Sequence, residues 1–229
     1  MANRTKIKEL ARQLDLINLS KRKYTNSESS LNGLDLLELV LGEEVTARKI
    51  RAISRSKKAS NLPDLELSLG KFNSGIRYHI DKLLKFEWVG KSQNLLVQGE
   101  CGMRKTALVS YLGNRAIEYG LKVFYLNLEE LLILLNNIET TKRVKSTMSR
   151  VRNIDILVVD DFLYLDISKE ELERVYKFLI MINDTTSIVF ISNRIPHDWI
   201  DRAEDKYSMQ LFVQRCIAPA DTLTLSQTN

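Results

Sequence analysis

The pattern of apolar and polar positions changes character near residue 63. Ile7, Leu10, Leu14 and Ile17 follow 3-4-3 spacing, one stripe of an amphipathic helix that leaves Arg4, Lys8 and Arg12 off it. A polar stretch containing Asn26, Ser27, Ser29, Ser30 and Gly33 reads as a connection. From Leu34 to about Ser60 there is no proline and one glycine, Gly42; the front half is apolar and the back half carries Arg48, Lys49, Arg51, Arg55, Lys57 and Lys58. This is a second helix with a basic end. Pro63 sets its limit, because proline disfavours helical geometry in the residue before it. The expected organisation is a helical N-terminal region over 1–62 and a second domain over 63–229.

Beyond that boundary, short apolar runs alternate with helical periods. Strands are expected over 95–97, 123–126, 156–159 and 187–191, with a weaker one at 223–225. Helices are expected over 105–118, where Gly120 is the natural terminator, and over 129–137, 143–152 and 169–183. Strands that are almost wholly apolar, rather than alternating, are buried on both faces. The fold class is therefore α/β, a parallel sheet flanked by helices, with a small all-α region before it.

Composition narrows the class further. The chain has 229 residues, 44% hydrophobic and 28% charged, which supports a folded core and excludes collagen-like or disordered chains. Its longest purely apolar runs, 131–135 and 178–182, fall far short of the ~18 residues of a membrane span. The first twenty residues interleave charge with apolar side chains and carry no secretory pattern, so a cytoplasmic protein without membrane partners is expected. Cys101 and Cys216 are isolated, which provides neither a disulfide framework nor a zinc site. Charge is unevenly placed: residues 1–60 hold 13 Lys/Arg against 7 Asp/Glu, whereas 61–229 hold 21 against 22. A basic arm beside a neutral domain points to a polyanion, most simply nucleic acid. Arg48, Lys49, Arg51, Arg55, Lys57 and Lys58 are the candidate DNA contacts, a solvated helical face being the alternative.

Three strand ends carry candidate chemistry. After the first strand the chain reads Gly99-Glu100-Cys101-Gly102-Met103-Arg104-Lys105-Thr106, a Walker A loop in which backbone N–H groups curl around phosphates, the lysine reaches the β and γ phosphates and the hydroxyl ligates Mg²⁺. Arg104 stands where the motif has glycine, a position at which the backbone ordinarily needs freedom and close approach to ligand. Asp160 and Asp161 end the strand over 156–159, in a Walker B arrangement: Asp160 is the candidate metal ligand together with Thr106, and Asp161 the group that orients the attacking water. Asn193 follows the strand over 187–191 and offers an amide to a γ-phosphate. These strand ends share the carboxyl edge of one sheet, where open α/β folds bind ligands; ATP and Mg²⁺ are the implied cofactors. Tyr78, Phe86 and Trp88 read as core rather than as an adenine platform.

Taken together, Leu95-Leu96-Val97-Gln98-Gly99, the run Ile156 to Asp161 followed by Leu163-Tyr164-Leu165, and Ile191-Ser192-Asn193-Arg194 followed by Asp198-Trp199 resemble the AAA+ ATPases of the IstB and DnaC type over nearly the whole chain, IstB most of all. The resemblance implies a RecA-like AAA+ P-loop core with ATPase activity. It also implies a homo-oligomer that coats duplex DNA in its ATP form and delivers a transposase to a target. Gln214-Arg215 aligns with the family's Asp-Arg pair, which would make Arg215 an arginine finger for a neighbouring subunit, with Gln214 the departure from the pattern. The rival readings are a loader of the replicative helicase, of which the Gram-positive type carries an N-terminal zinc-binding region that two isolated cysteines cannot supply, and a DNA-binding module in which Arg104 has impaired nucleotide binding.

Overall fold

The computed structural model describes residues 4–23, 33–91, 93–137, 141–163 and 167–226. Of the expected elements, Asn26, Ser27, Ser29 and Ser30 of the polar connection, and Tyr164 and Leu165 after the acidic pair, lie outside the described residues. The chain forms two compact units, residues 1–55 and 56–229.

The first unit contains α1 (Arg4–Gln13), α2 (Ile17–Lys21) and most of α3 (Gly33–Ala59). The single stripe expected through Ile7, Leu10, Leu14 and Ile17 is interrupted. Asp15 takes φ 53°, and Leu16 N–H donates to the carbonyl of Ala11 (2.7 Å). This 6→1 bond across a left-handed residue is a Schellman closure, so α1 stops and α2 starts afresh. Leu10, Leu14 and Ile17 are exposed, whereas Ala11 is buried. The polar anchor of this unit is Glu44, only 2% exposed. It accepts from Asn18 N–H at 2.9 Å, from Arg48 Nε at 3.2 Å and from an Arg51 guanidinium N–H at 3.0 Å.

The second unit begins with the last turn of α3 and a 3₁₀ turn (Leu69–Lys71), followed by α4 (Ser74–Leu83), β1 (Leu95–Gly99), α5 (Lys105–Tyr119) and β2 (Val123–Asn127). Next come α6 (Leu128–Asn136), α7 (Lys142–Val151), β3 (Ile156–Asp160), α8 (Lys169–Ile182), β4 (Ser187–Ser192), α9 (Pro196–Arg202), α10 (Lys206–Phe212), a π turn (Val213–Ile217) and β5 (Asp221–Leu225). Capping is written locally in the sequence. Asn127 and Ser168 each close a capping box with a glutamate three residues on, Glu130 and Glu171. Gly120 ends α5 at φ 107°, as expected of a C′ glycine. The periodicity gave little sign of α2, α4, α9 and α10, which are short and partly polar.

All five strands are parallel, in the order β2-β3-β4-β1-β5. Their residues are buried with almost no alternation in β1, β3 and β4, the signature of a sheet covered on both faces. One face packs into a core where Phe162 lies 4.8 Å from Phe190, 5.3 Å from Trp199 and 5.4 Å from Phe212 between ring centroids. Phe86 joins the buried set, whereas Tyr78 is 77% exposed and belongs to no core. Among the described residues no helix is long and apolar enough to cross a membrane.

Candidate functional site

β1, β4 and β3 are neighbours in that order, so their carboxyl ends bring the Gly99–Thr106 loop, Ser192–Asn193 and Asp160–Asp161 to one edge. The loop is shaped by three residues with positive φ. Gly99 (φ 152°) sits where a Cβ would collide with the backbone carbonyl of Leu225 on β5, and Gly102 takes φ 82°. Arg104 takes φ 60° and ψ 28°, the left-handed conformation, directly before α5. An L-residue pays about 1–2 kcal/mol there. Arginine therefore occupies the backbone conformation for which the motif ordinarily keeps glycine, and its side chain stays exposed at the loop. Glu100, Cys101 and Met103 complete the turn, with Met103 N–H donating to the carbonyl of Glu100 (3.4 Å).

Lys105 opens α5 and is 7% exposed. Its Nζ donates to the carbonyls of Gly99 (2.7 Å) and Glu100 (2.8 Å), which lashes the side chain across its own loop. Burial pushes its pKa below the ordinary lysine value, with Cys101, Asp160 and Asp161 opposing. Thr106 Oγ1, in the first turn of α5, donates to Asp160 Oδ2 at the end of β3 at 2.8 Å, although β4 lies between β3 and the β1 that leads into α5. Asp160, 4% exposed, also accepts from Tyr125 OH at Oδ2 (2.8 Å) and from Asp161 N–H at Oδ1 (2.7 Å).

The chain leaves β3 through a sharp turn. Asp161 has φ 51°, and the next residue, Phe162, drops into the core while its N–H donates to the carbonyl of Ile191 (2.8 Å). The buried ring holds the turn, and the turn lifts Asp161 to the exposed rim. Partial desolvation raises the Asp161 pKa, the charge of Asp160 raises it further, and Lys105 opposes. Ser192, wholly buried, donates to the carbonyl of Phe162 (2.8 Å) and accepts from Arg194 N–H (3.1 Å), tying the end of β4 to the turn after β3. Sequence reasoning gave its weight to Asn193, which stands half-exposed at the end of β4; the structural work of that dipeptide is done by Ser192. Tyr125 was missed as well, its only signal being one hydroxyl in the otherwise apolar run Val123 to Leu126.

The remaining expected residues lie elsewhere. Arg215 is exposed on the π turn. The carbonyl of the next residue, Cys216, accepts from Asn94 Nδ2 (2.9 Å) just before β1. That is the amino edge, the length of β1 away from the loop, roughly 13 Å at strand rise. Burial pushes the Cys216 thiol up to about 12, with Arg215 opposing, and Cys101 is free and exposed in the loop. The six basic residues of α3 divide: Arg48 and Arg51 are held by Glu44, Lys57 pairs with Glu118 of α5 (2.8 Å), and Lys49, Arg55 and Lys58 are exposed.

The residues fit a nucleotide with one divalent cation. A hydroxyl and a carboxylate 2.8 Å apart beside a buried lysine and a glycine-shaped loop form a phosphate-and-metal donor set. Among the described residues no three His, Cys, Asp or Glu side chains cluster as a metal cage. A parallel sheet in this strand order, with the P-loop after β1 and the acidic pair after β3, defines an AAA+ domain. The family of IstB-like ATP binding proteins matches residues 3–227, and the chain belongs to it. A Bacteroides fragilis protein named for an IS21-like insertion sequence and for ATP binding is 26% identical over 96% of this chain and 87% of its own length. A Pseudomonas aeruginosa counterpart named for IS21 is 25% identical over 87% of this chain and 77% of its own. Among solved structures, the DnaC helicase loader superposes with TM-score 0.56 at 16% identity, covering 74% of this chain and 98% of that one. AMPPCP-bound DnaA from Aquifex aeolicus superposes with TM-score 0.53 at 18% identity, covering 74% of this chain and 51% of that one.

Proposed function

We propose that this protein is an ATP-dependent transposition helper: it binds ATP with Mg²⁺ at the Gly99–Thr106 loop, assembles with copies of itself on duplex DNA, and delivers a transposase to its target. The observation that carries the reading is the Thr106–Asp160 hydrogen bond beside Lys105, which brings the hydroxyl and ammonium at the start of α5 together with the carboxylate at the end of β3. Thr106 and Asp160 would hold a Mg²⁺ here, which when bound would supply positive charge against the phosphates. Lys105 would exchange its two carbonyl partners for phosphate oxygens, Thr106 and Asp160 would hold the cation's inner or water ligands, and loop N–H groups would cradle the phosphates. Asp161, at the rim, would orient a water, and Asn193 would offer its amide on the β4 side. Arg215 lies on the far edge of its own sheet, so the site it would serve is that of a neighbouring copy. Of the six candidate DNA contacts, Lys49, Arg55 and Lys58 are exposed and lie outside the Glu44 and Glu118 ion pairs, so they would meet phosphates. A transposase is proposed over a helicase because the relatives that align along most of this chain are named for IS21-type insertion sequences, while DnaC is matched in fold. Calorimetry of ATP binding with and without Mg²⁺, in the intact chain and in Lys105→Ala, tests the foundation. Binding that is Mg²⁺-strengthened and lost in the variant is expected; no heat of binding in the intact chain overturns the reading.

A further inference from the structure

Asp160 takes two hydroxyl donors on the same oxygen. A carboxylate has about four acceptor positions, two on each oxygen. Thr106 Oγ1 and Tyr125 OH, both at 2.8 Å, fill those of Oδ2, and Asp161 N–H takes one on Oδ1. One position remains, on Oδ1. Thr106 belongs to the P-loop motif; Tyr125 belongs to no motif. It is a half-buried residue in the middle of β2, and phenylalanine would satisfy the packing there equally well.

The backbone of Tyr125 is held from outside the sheet. β2 is an edge strand, and the segment after α3 runs along its free side: Tyr125 N–H donates to the carbonyl of Ser60 (2.7 Å), and Asn61 Nδ2 donates to the carbonyl of Tyr125 (3.2 Å). That segment is itself fastened. Asn61 takes φ 59°, Ser60 is buried, and Leu62 lies so close over Gly113 of α5 that a Cβ there would stand 2.8 Å from its Cδ1. Lys57 adds its ion pair to Glu118 on the same helix. A continuous set of bonds thus leads from residues 57–62 through Tyr125 to the carboxylate that faces Thr106.

We propose that Tyr125 is a positioning residue for divalent-cation binding: its hydroxyl fixes the Asp160 carboxylate so that Oδ1 alone faces the cation, and the Ser60–Asn61 segment fixes Tyr125. The inference rests on the ATP–Mg²⁺ reading of the site. Hydrogen-bond partners of metal-holding carboxylates carry about 10–100-fold in metal affinity, and an edge tyrosine that shares its oxygen with Thr106 belongs at the low end of that range.

The experiment uses the full chain and a fluorescent ATP analogue, titrated first in EDTA and then with Mg²⁺ at fixed analogue. Tyr125→Phe is expected to leave the metal-free affinity unchanged while raising the Mg²⁺ midpoint about tenfold. Asn61→Gly, which keeps the left-handed backbone and deletes the side-chain bond, should raise it about two- to threefold, less than loss of the hydroxyl because the Ser60 bond remains. An unchanged Mg²⁺ midpoint in Tyr125→Phe overturns the inference alone, as does a parallel loss of metal-free affinity, which would mark a merely structural tyrosine. Failure of the unaltered chain to bind the analogue at any Mg²⁺ concentration overturns this inference and the ATP reading together.

Discussion

Gly99 and Leu225 are paired residues of β1 and β5, and the carbonyl of Leu225 occupies the space where any side chain at position 99 would begin. The first glycine of the phosphate loop is thus demanded twice, by its φ of 152° and by the last strand of the sheet. Gly99→Ala must push β5 away or distort the loop, an overpacking cost of about 2–3 kcal/mol. At about 2–4 °C per kcal/mol for a chain of this size, the melting temperature should fall by about 4–12 °C in calorimetry. Hydrogen exchange should speed up in β5 before it does in β3. A variant as stable as the parent would show that β5 yields freely.

Arg104 already holds the left-handed backbone that glycine would adopt. Arg104→Gly should therefore raise stability by about 1 kcal/mol, the relief of a non-glycine left-handed residue less the added freedom of the unfolded chain. Nucleotide affinity should change by less than about tenfold, since less than about 1.4 kcal/mol of backbone work remains to be gained. Denaturant unfolding and ATP calorimetry on the same pair of proteins separate the two effects. A larger rise in affinity would show that the arginine side chain itself obstructs phosphate.

Lys105 and Asp161 act at different steps in the proposed mechanism, and their variants should separate. Lys105→Ala removes the ammonium of the loop and should abolish ATP binding. Asp161→Asn keeps the turn, since asparagine tolerates positive φ, and should retain binding while lowering turnover by about 10²-fold or more. Turnover measured with DNA present, alongside calorimetry, tests the pair; equal turnover in Asp161→Asn and the parent removes Asp161 from the chemistry.

The division of basic residues in α3 yields a contrast. Replacing Lys49, Arg55 and Lys58 by alanine should lower duplex DNA affinity for unrelated sequences alike. It should also reduce the slope of log affinity against log salt by about 2.7, from about 0.9 per phosphate contact. Replacing Arg48 and Arg51 should instead loosen the first unit, because both side chains are committed to Glu44. An unchanged salt slope in the triple variant makes the exposed lysines and arginine a solvated face.

Glu44 makes the first unit sensitive to acid. Burial alone would raise its pKa, but the hydrogen bonds from Asn18, Arg48 and Arg51, with the charge of Arg51, outweigh it and leave the folded value below the ordinary 4.5. A depressed acid stabilises the fold above its unfolded pKa and loses that contribution as pH falls through the folded value. The helices α1, α2 and the first-unit part of α3 should therefore hold steady at neutral pH and lose hydrogen-exchange protection below about pH 4.5. Glu44→Gln should show the loss already at pH 7, by about 1–3 kcal/mol, and flatten that acid limb.

The sequence by itself determined the α/β class, the parallel sheet, the phosphate loop and the acidic pair. Each is written within a few consecutive residues: unbroken apolar runs at 95–97 and 156–159, glycines before Lys105, carboxylates directly after a strand. The end of α5 was equally local at Gly120, whereas α3 stops at Ala59 before the left-handed Asn61 rather than at Pro63, and at Asp15 a left-handed residue cuts an apolar stripe that spacing alone would continue. Only the tertiary structure decided that β4 lies between β1 and β3, that Thr106 therefore meets Asp160 across it, and that Tyr125 meets the same oxygen. It also decided that Glu44 holds two of the candidate DNA-contacting arginines, and that Ser192 rather than Asn193 braces the turn after β3. The reason is that parallel strands are joined by crossovers of a dozen residues or more, so neighbours across the sheet lie 31 to 126 positions apart and leave no period in the chain. A side chain's partner, unlike its propensity, is chosen by whichever distant segment the sheet brings beside it.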